Sequence, residues 1–133
     1  MLREARKYVE KTFEKYTTFE GSFCYEKRFT GNWIIYFNMG ANETYIKMDS
    51  KYTNGLFDKR KSSEFKREII RIFVREFNEI MKFLKHTKTK PKRMNLKEIT
   101  KLENVIKSFD EHTGFLIKEL QNKYKLIELE KDF

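Results

Sequence analysis

Residues 22–39 read Ser22-Phe23-Cys24-Tyr25-Glu26-Lys27-Arg28-Phe29-Thr30-Gly31-Asn32-Trp33-Ile34-Ile35-Tyr36-Phe37-Asn38-Met39. Their period is two. Phe23, Tyr25 and Phe29 alternate with Cys24, Glu26 and Arg28, and Trp33–Met39 is dense in β-branched and aromatic side chains, the composition of strands that bury at least one face. Gly31-Asn32 between the two runs is a two-residue hairpin signal. An antiparallel hairpin is therefore the element from which the rest of the fold is read.

Downstream, Gly40–Glu43 supplies a looser turn into a third strand from Thr44 to about Thr53. Asn54-Gly55 is a second hairpin signal, so Leu56-Phe57 opens a short fourth strand. Upstream, Leu2, Ala5, Val9, Phe13 and Tyr16 recur at helical spacing and predict an amphipathic helix that ends before Gly21. Past residue 60 the period returns to that of a helix. Ser62 or Ser63 caps a long helix that runs to about His86. Thr87–Met94, which holds the only proline, reads as a basic linker, and Asn95 with Glu98 three residues on resembles a capping box. Ile99, Leu102, Ile106, Phe109, Leu116, Leu120 and Ile127 keep a heptad-compatible phase through Gly114. That phase predicts one kinked helix or two nearly collinear ones, with an extended Tyr124–Leu129 as the alternative. The expected class is α+β: an N-terminal helix, a three- or four-stranded antiparallel β-meander, then two long C-terminal helices, all in one domain over residues 1–133.

If Gly31-Asn32 closes the first hairpin, the register follows from the turn. One face then carries Trp33, Ile35, Phe37, Met39, Ile46 and Met48, with Glu26 and Arg28 near its edge, and is the core face. The opposite face carries Phe23, Tyr25, Lys27, Phe29, Ile34, Tyr36, Asn38, Tyr45 and Lys47. Aromatic rings interleaved with lysines on an open sheet are what single-strand binders use for stacking and phosphate contact, which makes Tyr25, Tyr36, Tyr45, Lys27 and Lys47 a candidate stacking face. Packing under the helices is the competing expectation, and tyrosine suits a half-buried strand whatever its function.

The chain's charge of +9 is concentrated in residues 51–93, which hold 14 Lys or Arg against 5 Asp or Glu, whereas the remainder cancels. Arg67, Arg71, Arg75, Lys82 and Lys85, with Asn78 between them, form one stripe at helical spacing. Phe65, Ile69, Ile72, Phe73, Phe77, Ile80 and Leu84 centre on the opposite side. The stripe spans about 27 Å at 1.5 Å per residue, and basic clusters extend it: Lys59, Arg60 and Lys61 before the helix, Lys88, Lys90, Lys92 and Arg93 after it. Such a field attracts polyanions and supplies affinity through counterion release. The competing expectation is a solvated helix face neutralised by local pairs of Glu64 with Arg67, Glu68 with Arg71 and Arg75 with Glu79.

Length and composition narrow the classes further. At 133 residues with 16 % aromatics, one domain can bury a substantial core despite its charge. The charged start, Met1 to Lys7, has no apolar segment of a secretory signal, and no apolar run approaches the roughly 18 residues of a membrane span. A single Cys24 leaves no internal disulfide to form, so a cytoplasmic location is expected. Abundant Lys, Asn, Ile, Phe and Tyr beside rare Ala and Pro is the bias of AT-rich coding sequence, which suggests a low-GC bacterium, its phage or a plasmid. Motifs for phosphate loops, nucleophile elbows and metal ligation are missing. His86, His112 and an Asp49, Asp58, Lys47 grouping are weak catalytic candidates, and Cys24, opposite Met39, reads as an inert thiol.

Helix, three strands, helix is also the order of double-stranded-RNA-binding domains, which place basic residues at the start of the second helix, where this chain has Lys59-Arg60-Lys61 and Lys66-Arg67. The glycine-rich turn before that helix is missing, so the likeness is one of topology. Together these features predict a small non-enzymatic binding protein, without metal or cofactor, engaging nucleic acid, a nucleoprotein or an acidic protein surface. The setting they suggest is a phage or mobile-element accessory that blocks a host nucleic-acid machine such as a CRISPR effector. The alternative is a protein-interaction module that uses the 95–130 helix as a coiled-coil seam or homodimer surface.

Overall fold

The computed structural model describes residues 1–18 and 20–131. Their order is α1 (Arg3–Thr12), β1 (Glu14–Thr17), β2 (Phe23–Arg28), β3 (Trp33–Asn38), β4 (Glu43–Met48), α2 (Ser50–Leu56), α3 (Ser63–Lys85) and α4 (Leu96–Lys131). The four strands form one antiparallel meander in sequence order, and the two long helices follow it, as expected for the class. The added strand and short helix depart from the order of double-stranded-RNA-binding domains.

The fourth strand lies at the N-terminal side, not at Leu56-Phe57. Helix α1 stops at Thr12 because Phe13 leaves the helix in an extended conformation, with its ring stacked on Phe37 at 5.3 Å. Tyr16 therefore belongs to a strand and not to the first helix. The strand expected from Thr44 to Thr53 also ends early, at Met48. The Asp49 carboxylate accepts the Lys51 N–H at 3.1 Å and caps α2, so Asn54-Gly55 falls in the last turn of a helix and Leu56 packs into the core. A local cap outcompetes a local turn signal here.

The first hairpin shows the correction with the largest consequence. Arg28 pairs with Ile34 and Lys27 with Ile35, so the loop contains three residues, Thr30, Gly31 and Asn32, instead of two. Its shape is imposed from α4. The fully buried Asp110 carboxylate accepts the backbone N–H groups of Thr30 at 2.9 Å, Asn32 at 2.8 Å and Trp33 at 2.7 Å, together with the Thr30 hydroxyl. Gathering three backbone donors on one anion stabilises the loop strongly, and Gly31 at φ +139° supplies a conformation that side chains resist. A one-residue change in register moves every β2 side chain to the other face.

Tyr25, Lys27 and Phe29 accordingly point toward the helices with Trp33, Ile35, Phe37 and Ile46, while Glu26 and Arg28 lie on the second face. Tyr25 is buried, and Lys27 bridges to the buried Glu103 of α4, which also accepts from Tyr8 at 2.8 Å. The core joins that first face to Ala5 and Val9 of α1, Phe65, Ile69, Phe73 and Ile80 of α3, and Ile99, Leu102, Ile106 and Ile117 of α4. Trp33 is its centre: the indole N–H donates to Thr113 at 2.9 Å and the ring meets Phe73 and Phe77.

Helix α4 is continuous from Leu96 to Lys131, through Gly114 and through the segment 124–129 that had the extended alternative. The 87–94 segment is tethered along its length. Pro91 and Met94 are buried, Thr89 accepts from the Thr44 hydroxyl, and the Lys92 N–H donates to Asn42 at 3.0 Å.

Candidate nucleic-acid interface

Ser62 starts the basic helix, its hydroxyl accepting the Phe65 N–H at 3.1 Å. From that cap the helical period sends Phe65, Ile69, Phe73 and Ile80 into the core, and Arg67, Arg71, Arg75, Asn78, Lys82 and Lys85 outward. The local pairs that would neutralise the stripe do not form. Glu68 turns to Lys123 of α4 at 3.7 Å, and the buried Glu76 meets His112, leaving Glu79 with Lys82 at 3.0 Å as the one ion pair on the stripe among the described residues. Arg67, Arg71, Arg75 and Lys85 have no acidic partner within 4.0 Å among the described residues. Interhelical packing has drawn Glu68 away from Arg71, and Glu79 turns to Lys82 of α3 in place of Arg75.

The flanking clusters differ from one another. Lys59, Arg60 and Lys61 are exposed at the N-terminal end of α3. Arg60 is committed to Asp58 at 3.1 Å, and its guanidinium holds that carboxyl down to about 2. Past the C-terminal end, Lys88, Lys90, Lys92 and Arg93 are exposed on a segment whose backbone is held in place. The Met1 ammonium donates to the Lys92 carbonyl at 2.9 Å, and burial, then Arg6 and Lys92, push it below its ordinary value. Lys92 thus belongs to a second basic group with Met1 and Arg6, beside the β3–β4 loop.

The second face of the sheet has a different character. Tyr36 sits between Tyr16 at 5.6 Å and Tyr45 at 5.9 Å, with the Lys47 ammonium 4.3 Å from its ring centre. Its hydroxyl donates to Cys24 Sγ at 2.9 Å, and only 8 % of it is exposed. The neighbour of Cys24 across the sheet is Asn38, not Met39. Burial raises the pKa of the Cys24 thiol, with Lys47 opposing, so this sulfur is a packing group. Arg28 is engaged by Glu26 at 2.9 Å and Asp49 at 3.1 Å. Of the five candidate stacking residues, Tyr25 and Lys27 are on the wrong face, Tyr36 is closed over, and Tyr45 and Lys47 remain exposed on the second face.

The weak catalytic candidates are dispersed. His86 ends α3, exposed. His112 bridges to Glu76, Asp49 caps α2, and Asp58 holds Arg60. No group of three His, Cys, Asp or Glu among the described residues could hold a metal ion, and no helix among them is long and apolar enough to cross a membrane. Of the heptad positions of α4, Ile99, Leu102 and Ile106 are buried in the core, Phe109 and Leu120 pack against it, and Leu116 and Ile127 are half-buried.

A groove next to the stripe was not anticipated from the sequence. Ile70, Val74 and Phe77 are exposed on α3, one residue ahead of Arg71, Arg75 and Asn78. With Trp33, Met48 and Phe57 they line a depression of about 420 Å³. The available signal was the width of the apolar arc. Ile69-Ile70 and Ile72-Phe73-Val74 occupy more of the helix circumference than one buried stripe needs. No family model, curated protein or solved structure matches this chain.

Proposed function

We propose that the protein is a non-enzymatic binding module that engages nucleic acid, or the nucleic acid of a nucleoprotein, along the outer face of α3. The observation that carries this reading is the exposed row Arg67, Arg71, Arg75 and Lys85 without acidic partners among the described residues. An unpaired guanidinium keeps its full capacity for bidentate phosphate contact, and a row of them releases several counterions at once. The chain's +9 charge steers encounter. Lys59, Lys61 and Lys88 extend the contact at the two ends of the helix, and Lys90, Lys92 and Arg93 supply a second contact near the N-terminus. Contacts of this type position a duplex or strand without reading its sequence.

AT-rich coding bias and concentrated charge support a cytoplasmic phage or mobile-element accessory that occupies the nucleic-acid channel or guide complex of a host machine, a CRISPR effector being one such target. The test is affinity capture of the tagged protein from a bacterial lysate, with and without nuclease. Recovery of nucleic acid, and loss of co-captured proteins on nuclease treatment, is expected. Protein partners that persist unchanged after nuclease, with no nucleic acid recovered, would contradict the reading.

A further inference from the structure

The groove beside the stripe is built for a different ligand. Ile70, Val74 and Phe77 follow one another at steps of four and three, so they form a straight ridge along α3. They are 50 %, 54 % and 37 % exposed. Met48 at the end of β4 and Phe57 after α2 face them across the groove and are also exposed. A contiguous apolar surface of this kind is characteristic of an interaction site. Its rim is positive on the α3 side, where Arg71 and Arg75 run alongside the ridge without acidic partners among the described residues.

We infer that this groove docks an amphipathic acidic helix of a partner protein. The helix would lay apolar side chains at i, i+3/i+4 and i+7 against the α3 ridge and direct Glu or Asp toward Arg71 and Arg75, in the helix-in-groove mode. Charge complementarity selects this occupant. A second copy of the chain would bring an equally basic rim against this one, since the molecule carries +9. An unstacked nucleobase would place its hydrogen-bonding edge among the side chains of Trp33, Phe73, Val74 and Phe77, which offer it no acceptor. The inference is independent of the nucleic-acid reading, although both use Arg71 and Arg75, and simultaneous occupancy would set the two ligands in competition.

The test uses two synthetic helical peptides of about 16 residues with the same Leu ridge, one flanked by Glu and the other by Lys. Both are titrated into the full chain and followed by amide chemical shifts. Saturable binding of the Glu peptide, at least tenfold tighter than the Lys peptide and with shifts centred on Ile70, Val74, Phe77 and Met48, is expected. The double variant Ile70→Ser, Val74→Ser should bind the peptide at least tenfold more weakly while its affinity for a random-sequence duplex stays the same. That pairing separates failure of this inference from failure of the nucleic-acid reading. Because both side chains are exposed, an unchanged amide spectrum outside the groove verifies that the variant folds. Three results would overturn the inference. The first is equal binding of the two peptides, or binding of neither. The second is a single-stranded oligonucleotide that shifts the groove residues and binds the double variant more weakly. The third is self-association of the wild type that the double variant abolishes.

Discussion

The outer face of α3 and the second face of the sheet both meet solvent, and both carry basic residues. They differ in what those residues touch. On the sheet, Arg28 is held by Glu26 and Asp49, while Lys47 lies over Tyr36. On α3, Arg67, Arg71 and Arg75 touch no acid among the described residues: Glu68 is drawn to Lys123 of α4, and Glu79 pairs with Lys82. Composition alone makes the two surfaces look alike, as places where rings and cations recur. Only the partners of each side chain distinguish a surface that has satisfied itself from one left open to a polyanion.

The contrast rests on the register of the first hairpin, so the most disruptive test removes what sets it. Asp110→Ala would leave the N–H groups of Thr30, Asn32 and Trp33 and the Thr30 hydroxyl without their acceptor. A buried donor so orphaned costs about 1 to 3 kcal/mol, and with partial relaxation the expected loss is about 4 kcal/mol in urea denaturation. A loss under about 1 kcal/mol, the size of one ordinary hydrogen bond, would mean that the turn sequence holds the loop by itself. It would also reopen the two-residue register, with Tyr25 and Lys27 on the second face.

Tyr36→Ala tests the sheet side directly. Tyr36 is closed over by Tyr16, Tyr45 and Lys47, so its removal should cost about 3 kcal/mol, the scale for deleting a large buried ring, and leave nucleic-acid affinity unchanged. An unaltered melting temperature with weaker single-strand binding would make the second face a stacking platform after all. Gly114→Ala has a smaller expected effect. An unobstructed helical glycine gains about 1 kcal/mol on this change, but the added Cβ would stand 3.1 Å from Asn32 Nδ2, which is held by the Asp110 carbonyl. The two effects offset, and stability within about 0.5 kcal/mol of wild type is expected. The full gain would show that the hairpin loop yields easily and is not rigidly clasped by α4.

The class of fold and the two long helices were legible because both rest on local signals: the Ser62 cap, the apolar period of 65–84 and the heptad phase of 99–127. The exposure of the basic stripe was legible for the same reason. What local sequence could not show was the clasp from Asp110, which acts on Thr30 and Asn32 from about eighty residues away and overrides the Gly31-Asn32 turn signal. Tyr25 and Lys27 of the expected stacking face were misplaced by that single residue of register. Likewise β1 depends on Phe13 reaching Phe37, and the freedom of Arg71 depends on Lys123 of α4 competing for Glu68. Apart from the Asn54-Gly55 turn, which yields to the local Asp49 cap of α2, each of these misses is a tertiary interaction deciding between local alternatives of similar strength.

If α3 is the surface left open, the salt dependence of binding must depend on its arginines. Affinity for random-sequence duplex and single strands is measured at several salt concentrations for the wild type and for the Arg67→Gln, Arg71→Gln, Arg75→Gln variant. Each exposed substitution should change stability by no more than about 0.5 kcal/mol, so the variant remains folded. The wild type should bind steeply more weakly as salt rises, at about 0.9 in log–log slope per duplex phosphate neutralised. The variant's slope should be shallower by about one for each arginine that had met a phosphate. Equal weak binding by both proteins with the same slope would contradict this and remove α3 from the binding surface.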